Sequence, residues 1–324
     1  MWQCPGCAAN DPLDDWLFSL PEVTAHFVRP WVEPVRFAEL SDCIRSLWGT
    51  NQVALVRCGA CGLRSANPFV AGNAKFYALA YGRESFHSYP GWRWEYQLTR
   101  EAIPKSGTVL EIGAGDGAFQ RGLIGAGISP SRLYATEYSA IGRDALESLG
   151  VSVTSTDLRE LPPAGHAVVC GHQVFEHLDD LDGVFRAFDS LTAPKGIVAL
   201  SVPNGATIAR TEASRGEIDM PPNHVSTWQK TAFQAAGIRR GWKIVDYREE
   251  PASRLGAAKS LAKSKVFRSR QKRTSLTARL EQIAPSADIR YGLMALSAAA
   301  QLPAAYLKSS KPSGGAIWVL MSRA

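Results

Sequence analysis

Apolar runs of strand length recur through the middle of the chain, and between them the apolar positions spread out to helical spacing. "TVLEIG", "RLYATEY", "HAVVCG", "GIVALSVPN" and "WKIVDYRE" read as strands, and "GAFQRGLIGAG", "AIGRDALESLG", "DLDGVFRAFDSLTA" and "KTAFQAAG" as helices. Strands and helices alternating at this spacing predict an α/β fold with a parallel sheet covered on both faces. Residues 251–310 read as helical, and "AIWVLMSRA" as a last strand. No internal repeat is visible.

Composition divides the chain into four parts. Residues 1–70 hold five of the six cysteines. Residues 71–105 are an aromatic segment, 106–250 the alternating α/β region, and 251–324 a helical stretch plus the last strand. The N-terminus "MWQCPGCAANDP" has neither a basic nor an apolar leader region, which predicts a cytoplasmic protein without a disulfide framework. The net charge of +6 is uneven: residues 254–279 carry nine Lys and Arg and no acid, so the rest of the chain sums to −3.

The most informative stretch is "VLEIGAGDGAF". A strand ending in three alternate glycines, Gly113, Gly115 and Gly117, and opening a helix lets a ligand approach the backbone closely. Gly113, Gly115 and Ala118 also satisfy the dinucleotide pattern G-x-G-x-x-G/A. Glu111, just before the turn, favours a cationic ligand over a pyrophosphate.

Two C-x-x-C pairs, "CPGC" (Cys4, Cys7) and "CGAC" (Cys58, Cys61), supply the four thiolates of a closed tetrahedral zinc site. Two unrelated turns are the alternative. Cys170, inside an apolar strand, reads as core.

"VLEIGAGDG" resembles the first motif of the class I S-adenosylmethionine-dependent methyltransferases, and further motifs follow in order. The resemblance implies a Rossmann-like sheet binding S-adenosyl-L-methionine at Glu111, Gly113, Gly115 and Asp116. Glu137 in "ATEYS" stands where the family binds both ribose hydroxyls, and Asp157 and Leu158 in "STDL" where it contacts adenine. His172 lies in "VVCGHQVFEHLDD", which looks like the fourth-strand motif. Its Glu176 and His177 read as residues that cap and orient a helix.

The layout further resembles a group with an N-terminal zinc module, then "CGACGLRSANPF" and the Tyr-containing "KFYALAYG". Members of that group methylate carbon on nucleotide-linked deoxysugars, using a histidine after the fifth strand as base. The nearest match is His224 in "PPNHVSTW", with Asn223 where those enzymes carry Glu; their further C-terminal α/β domain has no counterpart in this sequence. The resemblance implies His224, Tyr77 and Tyr81 as catalytic candidates. Read locally, "HVSTW" starts a helix capped by Ser226 or Thr227 over a packed Trp228, and the tyrosines, four apart, share one helix face.

The basic segment reads first as a solvated helix face. Phosphate neutralisation is the second reading, weakened by the scarcity of aromatic residues for base stacking. The third is a membrane surface, because Tyr291–Leu307 carries no charge. Against it stands a helix buried on the sheet. Together these features predict methyl transfer to a small molecule, a sugar or sugar-linked metabolite. A tRNA or protein methyltransferase docking through the basic segment, or a non-catalytic methyltransferase-like binding protein, is the alternative.

Overall fold

The computed structural model describes residues 2–81, 91–214, 219–283, 287–308 and 314–324. The N-terminal part runs β1 (Pro12–Ser19), α1 (Leu20–Phe27), α2 (Pro34–Trp48), β2 (Gln52–Cys58), β3 (Arg64–Asn67), α3 (Ala74–Tyr81) and α4 (Trp94–Ala102). Then follow β4 (Val109–Ile112), α5 (Ala118–Gly125), β5 (Leu133–Thr136), α6 (Ala140–Ser148), β6 (Ser152–Thr154), β7 (His166–His172), α7 (Leu181–Leu191) and β8 (Thr192–Pro203). The chain ends with α8 (Gly205–Ala213), β9 (Ser226–Thr227), α9 (Lys230–Ile238), β10 (Trp242–Glu249), α10 (Arg254–Arg270), α11 (Leu276–Ile283), α12 (Ala287–Lys308) and β11 (Ala316–Arg323).

Seven strands form the main sheet, in the order β10-β11-β8-β7-β4-β5-β6. β4 to β8 run parallel, as the alternating pattern predicts. β11 enters antiparallel between β8 and β10, so the sheet is mixed rather than all parallel. The chain builds outward from β4 to β6, then crosses back to β7 and β8. The β4/β7 boundary is therefore the switch point, where loops leaving the carboxyl ends diverge and open a crevice.

Both faces are covered. On one, Phe175, Phe185, Phe188, Phe233 and Trp242 pack from α7, α9 and their flanks. On the other, Tyr96, Phe119, Leu123 and Leu146 pack from α4, α5 and α6. Trp92 is 43% exposed and stacks on Phe119.

A second, antiparallel sheet has the order β1-β2-β3-β9. Its last strand comes from the far side of the chain: Ser226 and Thr227 pair with Ser65 and Arg64. Thus "HVSTW" is not a helix start; it is a strand, and the helix begins at Lys230. Cys4, Cys58 and Cys61 share the core of Trp228 and Phe233, so the cysteine pairs are built into the main body.

The expectation of an uncharged helix buried on the sheet is not met by α12. It packs on α10, through Ala305 against Ala258, Leu261 and Ala262, with Ala298 and Leu302 alongside. Among the described residues no helix is long and apolar enough to cross a membrane.

Candidate active site

The glycine turn between β4 and α5 sits at the switch point. Gly113, Gly115 and Gly117 have φ of 65°, 58° and 76°, left-handed values that L side chains rarely adopt. A Cβ on Gly113 would come within 2.7 Å of Val174 Cγ2. The turn after β4 therefore touches the segment after β7, which carries Glu176 and His177.

Glu137, just past β5, is tied to that turn. Gly115 N donates to its Oε2 at 2.8 Å and Ser139 N to its Oε1 at 2.7 Å. Burial raises its pKa, while these two N–H groups pull the other way. Each oxygen spends one lone pair on the backbone and keeps one for another donor. The family resemblance implies that this carboxylate receives the ribose hydroxyls.

The other expected cofactor side chains are engaged or buried within the protein. Glu111 is 2% exposed, its carboxylate held inside the protein. Gln120 Nε2 donates to its Oε2 at 3.0 Å, and His172 Nδ1 lies 3.2 Å from its Oε1. His172 Nε2 meets Thr99 Oγ1 at 3.0 Å, so that ring also has both nitrogens occupied. Asp157 accepts from Arg159 N and Nε at one oxygen, and from Arg159 NH2 and Tyr138 Oη at the other. The Arg159 side chain, against the cost of burial, holds the Asp157 pKa below its usual range. Asp116 accepts from Ala118 N at the start of α5, and Leu158 is buried.

The catalytic candidates do come together, in company the sequence reading left out. Tyr77 and Tyr81 stack at 6.2 Å, 16° from parallel, on one face of α3. The Tyr77 hydroxyl lies 3.1 Å from His177 Nδ1. That nitrogen is also 2.7 Å from Asn223 O; a carbonyl can only accept, so Nδ1 carries the proton. The rings of His177 and His224 are 4.5 Å apart. Both Nε2 atoms face Glu176 Oε1 at 3.9 Å.

His224 Nδ1 lies 2.6 Å from Asp219 Oδ1. Glu176 Oε2 and Asp219 Oδ2 are buried with no hydrogen-bond partner among the described residues. Burial raises the Glu176 pKa to about 7, with His224 opposing. Burial and the neighbouring His224 lower that of His177 to about 3. Asp219 stays below its usual range: burial raises it, but His224 outweighs that. Glu176 and His177 are thus part of a polar cluster rather than a mere helix cap. The visible signal was the E-H pair itself; nothing in the sequence marks Asp219.

The four cysteines also converge. Cys4 and Cys61 sulfurs are 3.7 Å apart, Cys7 and Cys58 sulfurs 3.6 Å, and all four lie within 4.8 Å of one another. Each pair sits in a tight turn, closed by Ala8 N donating to Cys4 O and by Gly62 N donating to Cys58 O.

Residues 87–247, about half of the chain, match the family described as a methyltransferase domain. No curated protein matches the chain. Among solved structures, coclaurine N-methyltransferase bound to N-methylheliamine and S-adenosylhomocysteine is similar with a TM-score of 0.45 at 11% identity. That match covers 94% of each chain. A methyltransferase from Thiobacillus denitrificans, in complex with S-adenosyl-L-homocysteine, gives 0.44 at 13% identity, over 79% of this chain and 100% of that one. One from Geobacter sulfurreducens, with the same ligand, gives 0.42 at 12%, over 71% and 90%.

Proposed function

We propose that this chain, an S-adenosylmethionine-dependent methyltransferase, methylates a small molecule, a sugar or sugar-linked metabolite, at oxygen or carbon. The observation that carries the small-molecule reading is the cluster of Tyr77, His177, His224, Glu176 and Asp219. Its members come from three separate stretches and are largely buried, which suits a compact acceptor with one proton to lose. The sugar reading is supported by the resemblance of "CGACGLRSANPF" and "KFYALAYG" to sugar methyltransferases.

S-adenosylmethionine, when bound, supplies an electrophilic methyl group. The rest of the chemistry falls to the chain's own residues. Glu137 offers its remaining lone pairs to ribose hydroxyls, and the glycine turn lets the ligand lie against the backbone. With Asp219 at Nδ1, His224 keeps Nε2 as the proton acceptor. The proton passes from the acceptor's O–H or C–H to that nitrogen, and the imidazolium so formed sits between Asp219 and Glu176. His177, kept neutral by burial, and Tyr77 hold the acceptor beside it. The experiment is to measure S-adenosylhomocysteine release against panels of nucleotide-linked sugars, tRNA and proteins. Turnover confined to tRNA or protein rejects this acceptor class.

Cys4, Cys7, Cys58 and Cys61 fit a zinc ion. A tetrahedral site with Zn–S of about 2.3 Å has S···S edges of about 3.8 Å, against the 3.7 and 3.6 Å present. Four thiolates leave no open position, so the ion would be structural.

A further inference from the structure

We propose that α10, α11 and α12 form a docking surface for an anionic lipid bilayer, on which the protein lies without crossing it. The first observation is a solvent-facing apolar stripe on α12. Leu296, Ala300, Pro303 and Leu307 follow at intervals of four, three and four, which puts them on one helix face. All four are exposed, Leu296 at 70% and Leu307 at 75%. Ala298, Leu302 and Ala305 occupy the opposite face and pack on α10. The helix has therefore already used its packing face, and its second apolar face is left to solvent. The stripe continues onto α10. Arg254 Nε donates to Tyr306 O, and its guanidinium lies 4.3 Å over the Tyr306 ring. This brings Leu255, 46% exposed, to the Leu307 end of α12. An exposed apolar stripe of this kind, with Leu255 exposed on the neighbouring helix, marks an interaction site.

The second observation is charge. Residues 254–279 carry nine cations and no acid, while the rest of the chain is net negative. Lys259, Lys263, Lys272, Arg273 and Arg279 are exposed, and Leu276, at 72%, sits among the last three. Apolar residues flanked by Lys and Arg match a bilayer interface: the apolar side chains enter the acyl boundary and the cations meet anionic head groups. A second copy of the chain fits worse, because it would set two surfaces of the same sign face to face. A nucleic acid would meet the cations but leave the apolar stripe unused.

The test is flotation of the full chain with phosphatidylglycerol-containing vesicles and with pure phosphatidylcholine vesicles. The expected result is binding to the anionic vesicles only, weakened by salt. Lys259→Glu with Lys263→Glu should lower affinity by at least about fivefold for each cation removed. Leu296→Asp with Leu307→Asp should also lower it, while S-adenosylhomocysteine binding by both variants confirms that the fold is kept. Equal binding to both vesicle types, or no binding to either, overturns the proposal. So does a dimer in sedimentation that Leu296→Asp dissociates, or binding of RNA or DNA in preference to vesicles. Because no step uses the acceptor cluster, failure here leaves the acceptor reading standing, and failure there leaves this one.

Discussion

The backbone N–H of Gly115 donates to Oε2 of Glu137 across 2.8 Å, so the glycine turn and the Glu137 carboxylate form one unit. Glu137→Ala removes a charged acceptor and loosens the turn together. Cofactor affinity should fall by roughly 10–150-fold, the worth of a charge-assisted hydrogen bond. Calorimetry with S-adenosylhomocysteine reads this directly, and unchanged affinity in a folded variant would remove Glu137 from the site.

Protein purified without chelator should carry about one zinc per chain, on Cys4, Cys7, Cys58 and Cys61. Cys4→Ser should lose it and destabilise the N-terminal sheet first. Metal analysis finding none in the wild type rejects the site.

His224→Ala should lower turnover by about 10²–10⁴-fold with cofactor affinity nearly unchanged. His177 and His224 do not act independently, since their rings lie 4.5 Å apart. The double variant should therefore lose less than the product of the two single losses. Wild-type turnover in His224→Ala takes the base away from this residue.

Burial raises the Glu176 pKa from 4.5 to about 7, with His224, Asp219 and Arg93 also acting on it. A pKa raised in the folded state gives stability that is fully present below 4.5 and is lost as pH rises to 7. Glu176→Gln abolishes this loss, so its melting temperature should gain on the wild type as pH climbs through that window. His177 works in the opposite sense: its lowered pKa gives stability present above 6.5 that is lost as pH falls toward 3. It is common to both proteins, so the difference between their melting curves isolates Glu176. Parallel pH dependence would show that Glu176 is not buried as ionisable carboxyl.

Glu111→Ala strands Gln120 Nε2 and His172 Nδ1 inside the core. Unpartnered buried groups cost about 1–3 kcal/mol each, so the loss should appear in denaturant unfolding before it appears in cofactor binding. A variant as stable as wild type but unable to bind cofactor would return Glu111 to the cleft.

The sheet was legible because β4, β7 and β8 are buried apolar runs and their connecting helices are periodic. β6 escaped notice as a strand: Ser152–Thr154 has three residues and a single aliphatic side chain. α8 was also missed, since Gly205–Ala213 mixes small and polar residues without a clear apolar face. The glycine turn could be read because three alternate glycines after a strand leave a local mark, whereas Glu137 was pointed to only by the family resemblance. The direction of Glu111 could not, because its partners Gln120 and His172 depend on how α5 and β7 pack. The same holds for Asp219, whose meaning comes from a ring five residues on, and for α12, whose lack of charge fits a buried helix as well as an exposed one.

β3 begins three residues after Cys61, and its Arg64 pairs with Thr227, three residues after His224. Arg64 also grips Glu212 through two guanidinium contacts, and Glu212 Oε1 accepts from the backbone N of Asp219. The cysteine turns therefore hold one end of a lever whose other end is the Asp219–His224 pair, while Glu137 and the glycine turn hang from a different sheet. A chelator or a thiol oxidant, acting at the cysteines, should slow turnover and leave cofactor binding intact, so that thiol redox state would throttle methyl transfer without unloading the enzyme.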